Sequence, residues 1–395
     1  IRETPPSEPC PKAIDKAKGC IYLGIISDLT EGPFRALAVP VTDAQKAFWD
    51  RVNKAGGIGS YEVDVTSYIR DNKYNPQVHA QVYQEIKPKI LALAQTLGSS
   101  TTLAVLADMK SSNLVGAPAS WTSAWAFEDV IVESGTNYCL ESMNMLDYAK
   151  EKYGATSAMA VHFAGDYGAD AAAGAKLGAE KLGMAFQRVE TGPGAEAQAG
   201  AIAAIIKAKP SVVILSTSPT EAAAIVGGAV AQGFTGRFIG SGPTWNPALL
   251  KSPAAAALTA SYEHSGYWGP WGSNTPGHNA LREAMGNVQN PNDGYTYGWV
   301  WSYPLKAALQ KAVASKDLTR AGLVSAVKSL TSVDYEGILP SGSGNFASGL
   351  DGVTRSTQFS KPDAGAPTGI TVVKPFSAGP TASAYKLTGP CYKSL

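Results

Sequence analysis

The sequence predicts an α/β fold built from strand–helix–strand units, and the segment Ile21–Val65 contains the first of them. Ile21–Ile26 is a short apolar run rich in β-branched residues, which is typical of a strand covered on both faces. Apolar residues then recur every three or four positions, which places them on one stripe of a helix: Val41, Ala44, Phe48, Val52 and Ala55. Gly56 and Gly57 end that helix, where a residue with positive φ is usually needed, and Ile58–Val65 starts the next extended segment.

The same alternation continues along the chain. Short apolar runs are found at Leu103–Leu106, Ser157–Phe163, Val212–Leu215 and Phe238–Gly240, and helical patterns at Glu221–Gln232, Tyr295–Lys311 and Arg320–Leu330. This repetition indicates parallel, doubly wound sheets. In such sheets ligands gather at the loops that leave the carboxyl ends of the strands, so Asp28–Leu37 is the first loop of interest.

Length and composition limit the classes of protein that fit. The chain has 395 residues, more than one typical hydrophobic core, so two domains are expected. Its 33 Lys and Arg against 32 Asp and Glu leave a net charge of +1, which argues against a nucleic-acid partner or an anionic membrane surface. No apolar run approaches the roughly 20 residues that span a bilayer. The N-terminal sequence is not a signal peptide, and we expect it to be what remains after one was removed.

The four cysteines are Cys10, Cys20, Cys139 and Cys391. Their spacing fits no zinc pattern. Cys10 and Cys20 flank a short segment before the first strand, which favours a disulfide between them, and Cys139 would then pair with Cys391. The alternative is four unpaired thiols in a reducing compartment, and the sequence does not settle the connectivity.

The sequence shows no catalytic motif. His79, His162, His264 and His278 have no partners at a catalytic spacing, and the chain contains no GxSxG, P-loop or HExxH pattern. We therefore predict that the protein is not an enzyme and has neither a cofactor nor a metal site.

Several short segments, in their order and spacing, resemble the type I extracellular solute-binding proteins of ABC importers, in particular the leucine/isoleucine/valine-binding family. They are Gly32-Pro33, Asn53–Ile58, Asp71–Pro76, Gly98–Thr101, Pro118–Trp121, Tyr167-Gly168 and Asp351-Gly352. The resemblance extends from about Ile21 to Phe359, and it depends on the set of segments because each alone is common.

This resemblance implies two α/β lobes joined by three crossovers, with a ligand cleft between lobes that close on a hinge. We place the crossovers near Cys139–Ser142, Tyr262–Tyr267 and Glu336–Ser341. The predicted parts are an N-terminal extension (1–20), an N-terminal lobe (21–138 with 268–335) and a C-terminal lobe with the tail (139–267 with 336–395).

The resemblance also implies ligand-binding residues in the N-terminal lobe. At the position of Ser99, with Ser100 beside it, the family binds the ligand's carboxylate through hydroxyl and backbone groups; the alternative for Ser99 is a turn serine that caps the next helix. Ala119 and Ser120 lie in the neighbouring loop, where N–H groups at a helix start bind anions. Phe34 and Leu37 are expected to face the cleft.

Two aromatic positions carry alternatives that the sequence leaves open. Trp121 replaces a residue that is usually Thr in the amino-acid binders, and it either stacks on the ligand or fills the core between the lobes. Tyr167 matches the family best in the second lobe, and it either contacts the ligand or closes the loop on its own lobe.

Departures from the family concern the ligand's ammonium group. Amino-acid binders place a carboxylate in the loop after the strand that ends at Gly240, whereas this loop, Ser241–Trp245, contains no acid. Ser218 stands where the family has a tyrosine. A buried ammonium without a counter-charge costs several kcal/mol, so an ordinary α-amino acid is not expected. Ser218, Thr244 and Trp245, together with the aromatic residues already named, suggest a roomier pocket for an aromatic, uncharged or carboxylate compound.

The sequence thus predicts a monomeric, extracytoplasmic solute-binding protein, in the periplasm or on the cell surface as a lipoprotein. Its partners would be a small-molecule ligand and the membrane permease of an ABC importer. The alternative is a cytoplasmic or receptor-type ligand sensor of the same fold.

Overall fold

A computed structural model describes residues 4–395 of the chain. Its strands are β1 Gly19–Ser27, β2 Tyr61–Asp64, β3 Ile69–Asp71, β4 Ala92–Leu97, β5 Gly116–Ala119, β6 Ser157–Phe163, β7 Ala185–Thr191, β8 Val212–Ser216, β9 Arg237–Gly240, β10 Tyr262–Gly266, β11 Thr357–Pro362 and β12 Ile370–Ser377.

The α-helices are α1 Arg35–Lys54, α2 Pro76–Ile86, α3 Ser99–Leu103, α4 Leu106–Ser111, α5 Tyr138–Tyr153, α6 Asp166–Leu182, α7 Ala199–Ala208, α8 Pro219–Ala231, α9 Ala255–Ser261, α10 Pro276–Met285, α11 Gly294–Ala314, α12 Arg320–Lys328 and α13 Pro380–Ala384. Short 3₁₀ helices lie at Lys87–Lys89, Ser123–Phe127, Ala195–Gln198, Gly242–Thr244, Pro247–Lys251, Gly349–Gly352 and Cys391–Ser394. Within the described range, no helix is both long enough and apolar enough to cross a membrane.

The chain divides into two compact units, each made of three separate segments. Unit 1 comprises Ile1–Ser120 (described from Thr4), Trp125–Ser134 and Asn274–Val353. Unit 2 comprises Trp121–Ala124, Gly135–Ser273 and Thr354–Leu395. The prediction has two segments in each lobe, whereas the structure has three in each unit, and 121–124, 135–138 and 268–273 group with unit 2. Glu336–Val353, which the prediction assigns to the C-terminal lobe, groups here with unit 1.

The sheet of unit 1 is parallel. Its order is β2-β1-β4-β5, and the long strand β1 also pairs with β3. The first residues of β1 pair with β2, from Gly19 opposite Tyr61, and its last residues pair with β3, from Ile25 opposite Ile69. All carboxyl ends of the strands therefore lie at one edge, as a doubly wound sheet requires. The strand before Ser99 is β4. The apolar run Leu103–Leu106, noted in the sequence, instead spans the end of α3 and the start of α4.

The sheet of unit 2 has seven strands in the order β12-β11-β10-β9-β8-β6-β7. The strands from β10 to β7 pair in parallel, and the tail adds β11 and β12 as an antiparallel edge. Both faces of this sheet are covered. Met159 and Val161 belong to one apolar cluster and Ala158 and Ala160 to the other, as the period of two along a strand dictates. The predicted α/β architecture with parallel sheets is confirmed.

Helix starts follow capping chemistry that can be read from the sequence. Asn75 caps α2 by accepting hydrogen bonds from the N–H groups of Gln77 and Val78, with Pro76 in the first turn. Asn137 caps α5 in the same way through the N–H of Leu140. These caps fix where the helices begin, and hence where the preceding loops end.

In unit 1, α1 packs closely against α11. A side chain at Gly298 would place its Cβ 2.1 Å from the carbonyl oxygen of Val41, so only glycine permits this approach. Phe48 then lies edge-on to the rings of Trp299 and Tyr303, with centroids 5.1 Å apart in both pairs. Such contacts add about 0.5–1.5 kcal/mol per aromatic pair beyond the area buried.

The structure contains the two disulfides that the sequence favours, Cys10–Cys20 and Cys139–Cys391. The first closes a short loop ahead of β1. The second joins helix α5 to the C-terminal segment, both within unit 2. The predicted pairing is confirmed.

Candidate functional site

The loop that follows β1 is organised by two aspartates. Asp28 is fully buried, and its carboxylate oxygens accept hydrogen bonds from the N–H groups of Gly32 (3.0 Å) and Phe34 (2.9 Å). Burial raises the pKa of the Asp28 carboxyl, and these two hydrogen bonds partly oppose that rise. Asp71, at the end of β3, accepts from the Leu29 N–H (3.0 Å) and from the hydroxyl of Thr30. Sequence reasoning missed both roles, although an acid directly after a strand and four residues before Gly-Pro is a recognisable turn signal.

Phe34 and Leu37 occupy the end of this loop and the start of α1. Phe34 is 7% exposed, and its ring meets the edge of Tyr74 with centroids 4.9 Å apart. Leu37 is half-buried in the first turn of α1. Phe34 is therefore fixed by the loop that precedes α2, whereas Leu37 keeps part of its surface exposed.

Ser99, just after β4, and Ser120, just after β5, lie next to each other. Ser99 begins α3, and its hydroxyl donates to the Ser120 hydroxyl over 3.1 Å. Ser120 also accepts from the indole N–H of Trp125 at 3.0 Å. Ser100 is half-buried beside them. Ala119 is the last residue of β5, and the next helical segment begins only at Ser123, so these residues do not form the helix start that the sequence predicts.

A buried polar network lies next to the start of α3. His79 Nε2 lies 3.0 Å from the Thr96 hydroxyl, which contacts the Thr102 hydroxyl at 2.8 Å. His79 Nδ1 lies 3.1 Å from the side-chain nitrogen of Asn72. Burial lowers the pKa of His79 to about 4, so its imidazole is neutral at physiological pH. The network therefore fixes the start of α3 through neutral side chains.

Trp121 belongs to unit 2 and is 1% exposed. Its indole stacks on the ring of Tyr267, with centroids 3.8 Å apart and planes inclined by 24°. The segment that carries it is tied down because Asp170 accepts from both the N–H (2.8 Å) and the hydroxyl (2.5 Å) of Ser123. The N–H of Cys391 donates to that same hydroxyl at 2.8 Å, so the disulfide-bonded C-terminus also holds the Trp121 segment.

Tyr267 packs directly against Gly242 in the 241–245 loop. A Cβ on Gly242 would lie 2.2 Å from Cε2 of Tyr267, so the tyrosine ring fills the space that a side chain at position 242 would need. The Tyr267 hydroxyl donates to the buried carboxyl of Glu141 at 3.0 Å. Tyr267 and Glu141 lie in two of the predicted crossovers, but neither is among the predicted ligand-binding residues, because no local pattern connects positions so far apart in the chain.

Tyr167 begins α6 and is 4% exposed. Its hydroxyl donates to the carbonyl of Thr217 (2.9 Å) and lies 2.7 Å from the Ser241 hydroxyl. Its ring contacts Tyr138, with centroids 4.6 Å apart. The hydroxyl therefore ties together loops of its own unit, while the ring stands next to Tyr138 and, through it, near Trp121.

The remaining predicted residues are held by unit 2 itself. Ser218 forms a capping box with Glu221 at the start of α8. The Thr244 hydroxyl donates to the carbonyl of Ser241 at 2.7 Å. Trp245 lies in the apolar core, stacks on Tyr262 and donates its indole N–H to the Thr368 carbonyl at 3.0 Å. These three side chains serve the packing of their unit, so we leave them out of the proposed ligand contacts.

No group of three or more His, Cys, Asp or Glu within residues 4–395 is placed to hold a metal ion. The predicted ligand-binding residues are divided between the two units, with Phe34, Leu37, Ser99, Ser100, Ala119 and Ser120 in unit 1 and the others in unit 2.

The chain matches the model of the periplasmic binding protein family over residues 21–363. The chain belongs to this family. The prediction of a type I solute-binding protein of ABC transporters is thereby confirmed, and the family implies a location outside the cytoplasm. No protein of curated function matches the sequence of this binding protein.

Solved structures agree with this assignment. The binding protein is similar to a fatty acid ABC transporter substrate-binding protein from Thermomonospora curvata, with 29% identity, 98% of each chain covered and a TM-score of 0.87. It is also similar to a branched-chain amino acid ABC transporter protein from Thermus thermophilus with bound valine (17% identity, 92% of this chain and 98% of that one, TM-score 0.79). A leucine-binding protein from Thermotoga maritima shares the fold at 16% identity, with 89% of this chain and 97% of that one covered and a TM-score of 0.72.

Proposed function

We propose that the protein captures a carboxylic acid with a hydrophobic body outside the cytoplasm and delivers it, chemically unchanged, to the permease of an ABC importer. Fatty acids are the first candidates, followed by aromatic acids. The proposed ligand contacts in unit 1 are Phe34, Leu37, Ser99, Ser100, Ala119 and Ser120. Those in unit 2 are Trp121 and Tyr167.

The observation that carries this proposal is the contact between Gly242 and Tyr267. The tyrosine ring occupies the space where a side chain at position 242 would lie. Glu141 does not replace the acid that the 241–245 loop lacks, because it is fully buried and its oxygens accept hydrogen bonds from Ser265 and Tyr267. A ligand ammonium would therefore have no counter-charge from this loop, at a cost of several kcal/mol.

Two further features favour a hydrophobic acid. Unit 2 contains the stacked aromatic rings of Trp121 and Tyr267, and unit 1 contains the neighbouring hydroxyls of Ser99 and Ser120. Hydroxyl and N–H donors are what a carboxylate needs. The similar protein from Thermomonospora curvata is a fatty acid binder by name, and its 29% identity covers 98% of this chain.

A thermal-shift screen followed by calorimetry tests the proposal. Octanoate, palmitate and phenylacetate are compared with leucine, isoleucine and valine. A ligand at 100 times its Kd adds about 2.7 kcal/mol to the free energy of unfolding, so a true ligand raises the Tm clearly. A large rise with leucine, isoleucine or valine, and none with the acids, would overturn the proposed ligand class.

A matched pair of variants tests the placement of the carboxylate. Ser99→Ala removes a hydroxyl from the proposed carboxylate contacts, and a lost hydrogen bond to a charged group costs about 1.5–3 kcal/mol, or at least a tenfold weaker Kd. Ser111→Ala removes an exposed hydroxyl elsewhere in unit 1 and should leave the Kd unchanged. Equal affinities for the two variants would refute this placement.

Mass spectrometry of the released ligand checks that the ligand is chemically unchanged, and light scattering checks that the protein is a monomer.

A further inference from the structure

Glu141 lies in the first turn of α5 and is fully buried. Its carboxyl accepts hydrogen bonds from the Ser265 hydroxyl (2.8 Å) and the Tyr267 hydroxyl (3.0 Å). The backbone N–H of Gly242 provides a further donor. Glu141 thus connects α5, the residues at and just after the end of β10, and the 241–245 loop.

A second buried glutamate shows what Glu141 lacks. Glu263 is 2% exposed and forms ion pairs with Lys152 (3.3 Å) and Arg237 (3.1 Å). The hydrogen bonds and charges around it hold the pKa of the Glu263 carboxyl below its usual range. No lysine or arginine within the described residues forms an ion pair with Glu141, and burial raises the pKa of its carboxyl to about 8.

The proton on Glu141 changes what its neighbours can do. An ionised carboxylate accepts from all three donors, whereas a protonated carboxyl carries a hydrogen of its own. That hydrogen must be donated to one of the two hydroxyl oxygens nearby, so the hydroxyl of Ser265 or Tyr267 must turn its own hydrogen elsewhere. Because Tyr267 stacks on Trp121, this exchange reaches the proposed ligand contact.

We propose that Glu141 is a positioning residue that holds Tyr267 beneath Trp121 and couples ligand affinity to its own protonation. The inference rests on the proposed function insofar as Trp121 contacts the ligand. The proposed ligand is itself a carboxylate, and its negative charge makes the ionised form of Glu141 less favourable still. Binding therefore takes up a proton, and the affinity falls as the pH rises through the titration of Glu141.

Other titratable groups lie on α5 and on the elements that pack against it. Strand β10 contributes Tyr262, Glu263 and His264. Helix α6 contributes Asp166, Tyr167, Asp170, Lys176, Glu180 and Lys181. Helix α5 itself contributes Tyr138, Asp147, Tyr148, Lys150, Glu151, Lys152 and Tyr153, and the Asp147 carboxylate accepts from Thr381. Burial lowers the pKa of His264 to about 3, so this imidazole is neutral above pH 5. Burial raises the pKa of Asp170 to about 7, and the Asp170 carboxylate contacts the Ser123 hydroxyl.

The first experiment needs no ligand. Tryptophan fluorescence and near-ultraviolet circular dichroism are followed from pH 6 to 9.5 in the wild type, Glu141→Gln, Asp170→Asn and the control Glu180→Gln, which changes an exposed carboxyl of α6. We expect a transition near pH 8 in the wild type, in Asp170→Asn and in the control, its absence in Glu141→Gln, and a smaller amplitude in Trp121→Phe. A transition that persists in Glu141→Gln would overturn the proposal.

Two variants keep the test decisive if Glu141→Gln does not fold. Tyr267→Phe keeps the stacked ring but removes one donor to the carboxylate, and Ser265→Ala removes another. Both should raise the midpoint of the transition, because the charged form of Glu141 loses a hydrogen bond. A midpoint that stays unchanged in both variants would show that Glu141 is not the titrating group.

The second experiment measures octanoate binding by calorimetry at pH 7 and pH 9, in buffers of different ionisation enthalpy. We expect proton uptake and an affinity about fivefold or more weaker at pH 9 in the wild type and in Glu180→Gln, and neither effect in Glu141→Gln. The same pH dependence in Glu141→Gln would refute the coupling. If octanoate does not bind at all, the fatty-acid form of the proposed function fails, while the titration without ligand still decides the role of Glu141.

Discussion

Gly242→Ala tests the arrangement of Gly242, Tyr267 and Trp121 with a single methyl group. The new Cβ would lie 2.2 Å from Cε2 of Tyr267, and ordinary contact begins near 3.4 Å, so the ring must retreat by about 1.2 Å. Tyr267 is fully buried and stacked on Trp121, which leaves it little room to do so. The substitution should therefore strain the core of unit 2 and separate the two rings.

The expected cost follows from these contacts. Overpacking a filled core costs about 1–3 kcal/mol. Losing the aromatic stack adds about 0.5–1.5 kcal/mol. A total near 2–4 kcal/mol corresponds to a Tm lower by roughly 5–10 °C for a unit of this size. Gly266→Ala is the matched control, because its Cβ would meet only the Trp268 carbonyl oxygen at 3.4 Å, and its effect should stay within about 0.5 kcal/mol.

Guanidinium unfolding followed by circular dichroism measures both variants. The near-ultraviolet spectrum of Gly242→Ala should lose part of the tryptophan signal before any denaturant is added, and its octanoate affinity should fall, while Gly266→Ala keeps both. If Gly242→Ala unfolds at the wild-type midpoint with a wild-type spectrum, Tyr267 does not fill the space beside Gly242. The argument against an amino-acid ligand would then lose its main support.

Two further predictions concern stability. The Cys139–Cys391 disulfide closes a loop with a sequence separation of 252 residues, and Cys10–Cys20 one of 10. Chain entropy therefore predicts that replacing the first pair by serine lowers the free energy of unfolding by about 5 kcal/mol and replacing the second by about 3 kcal/mol. A larger Tm loss in calorimetry for the Cys10–Cys20 pair would contradict this order. The second prediction is a pH dependence. Burial raises the pKa of Glu141 to about 8 and of Asp170 to about 7, so the folded protein holds protons that the unfolded chain has already lost. The free energy of unfolding should therefore fall by about 1–3 kcal/mol between pH 6.5 and 8.5, above the range where the buried His79 and His264 act in the opposite direction. A free energy of unfolding that is constant or rises over that interval, measured by denaturation at each pH, would show that the two carboxyls are not shifted upward.

Much of the fold could be predicted because its signals are local. The β6 segment Ser157–Phe163 is an apolar run whose observed bounds equal the predicted ones, and α11 and α12 follow helical periodicity that needs no tertiary information. The α3 region was harder. Ala92–Leu97 forms the strand there, and Leu103–Leu106 continues into helices, since an apolar run of four residues does not distinguish a strand from a helix.

The candidate site residues were likewise predictable only where the signal is local. Residues of local motifs, such as Ser99 after β4 and Tyr167 at the start of α6, lie in the loops where the sequence predicts them. Trp245 and Ser218 lie in such loops too, yet core packing and helix capping occupy their side chains. A loop position is visible in the sequence, whereas the direction of a side chain depends on neighbours from distant segments.

The sequence by itself determined the alternation of strands and helices, the family and the absence of an acid in the 241–245 loop, because each is written in contiguous residues. Only the tertiary structure showed that the ring of Tyr267 fills the space beside Gly242 in that loop. Gly242, Tyr267, Trp121 and Glu141 come from four separate stretches of the chain, and folding brings them together. Steric exclusion, ring stacking and the burial of a carboxyl act between neighbours in space, so no reading of neighbours in sequence could have supplied them.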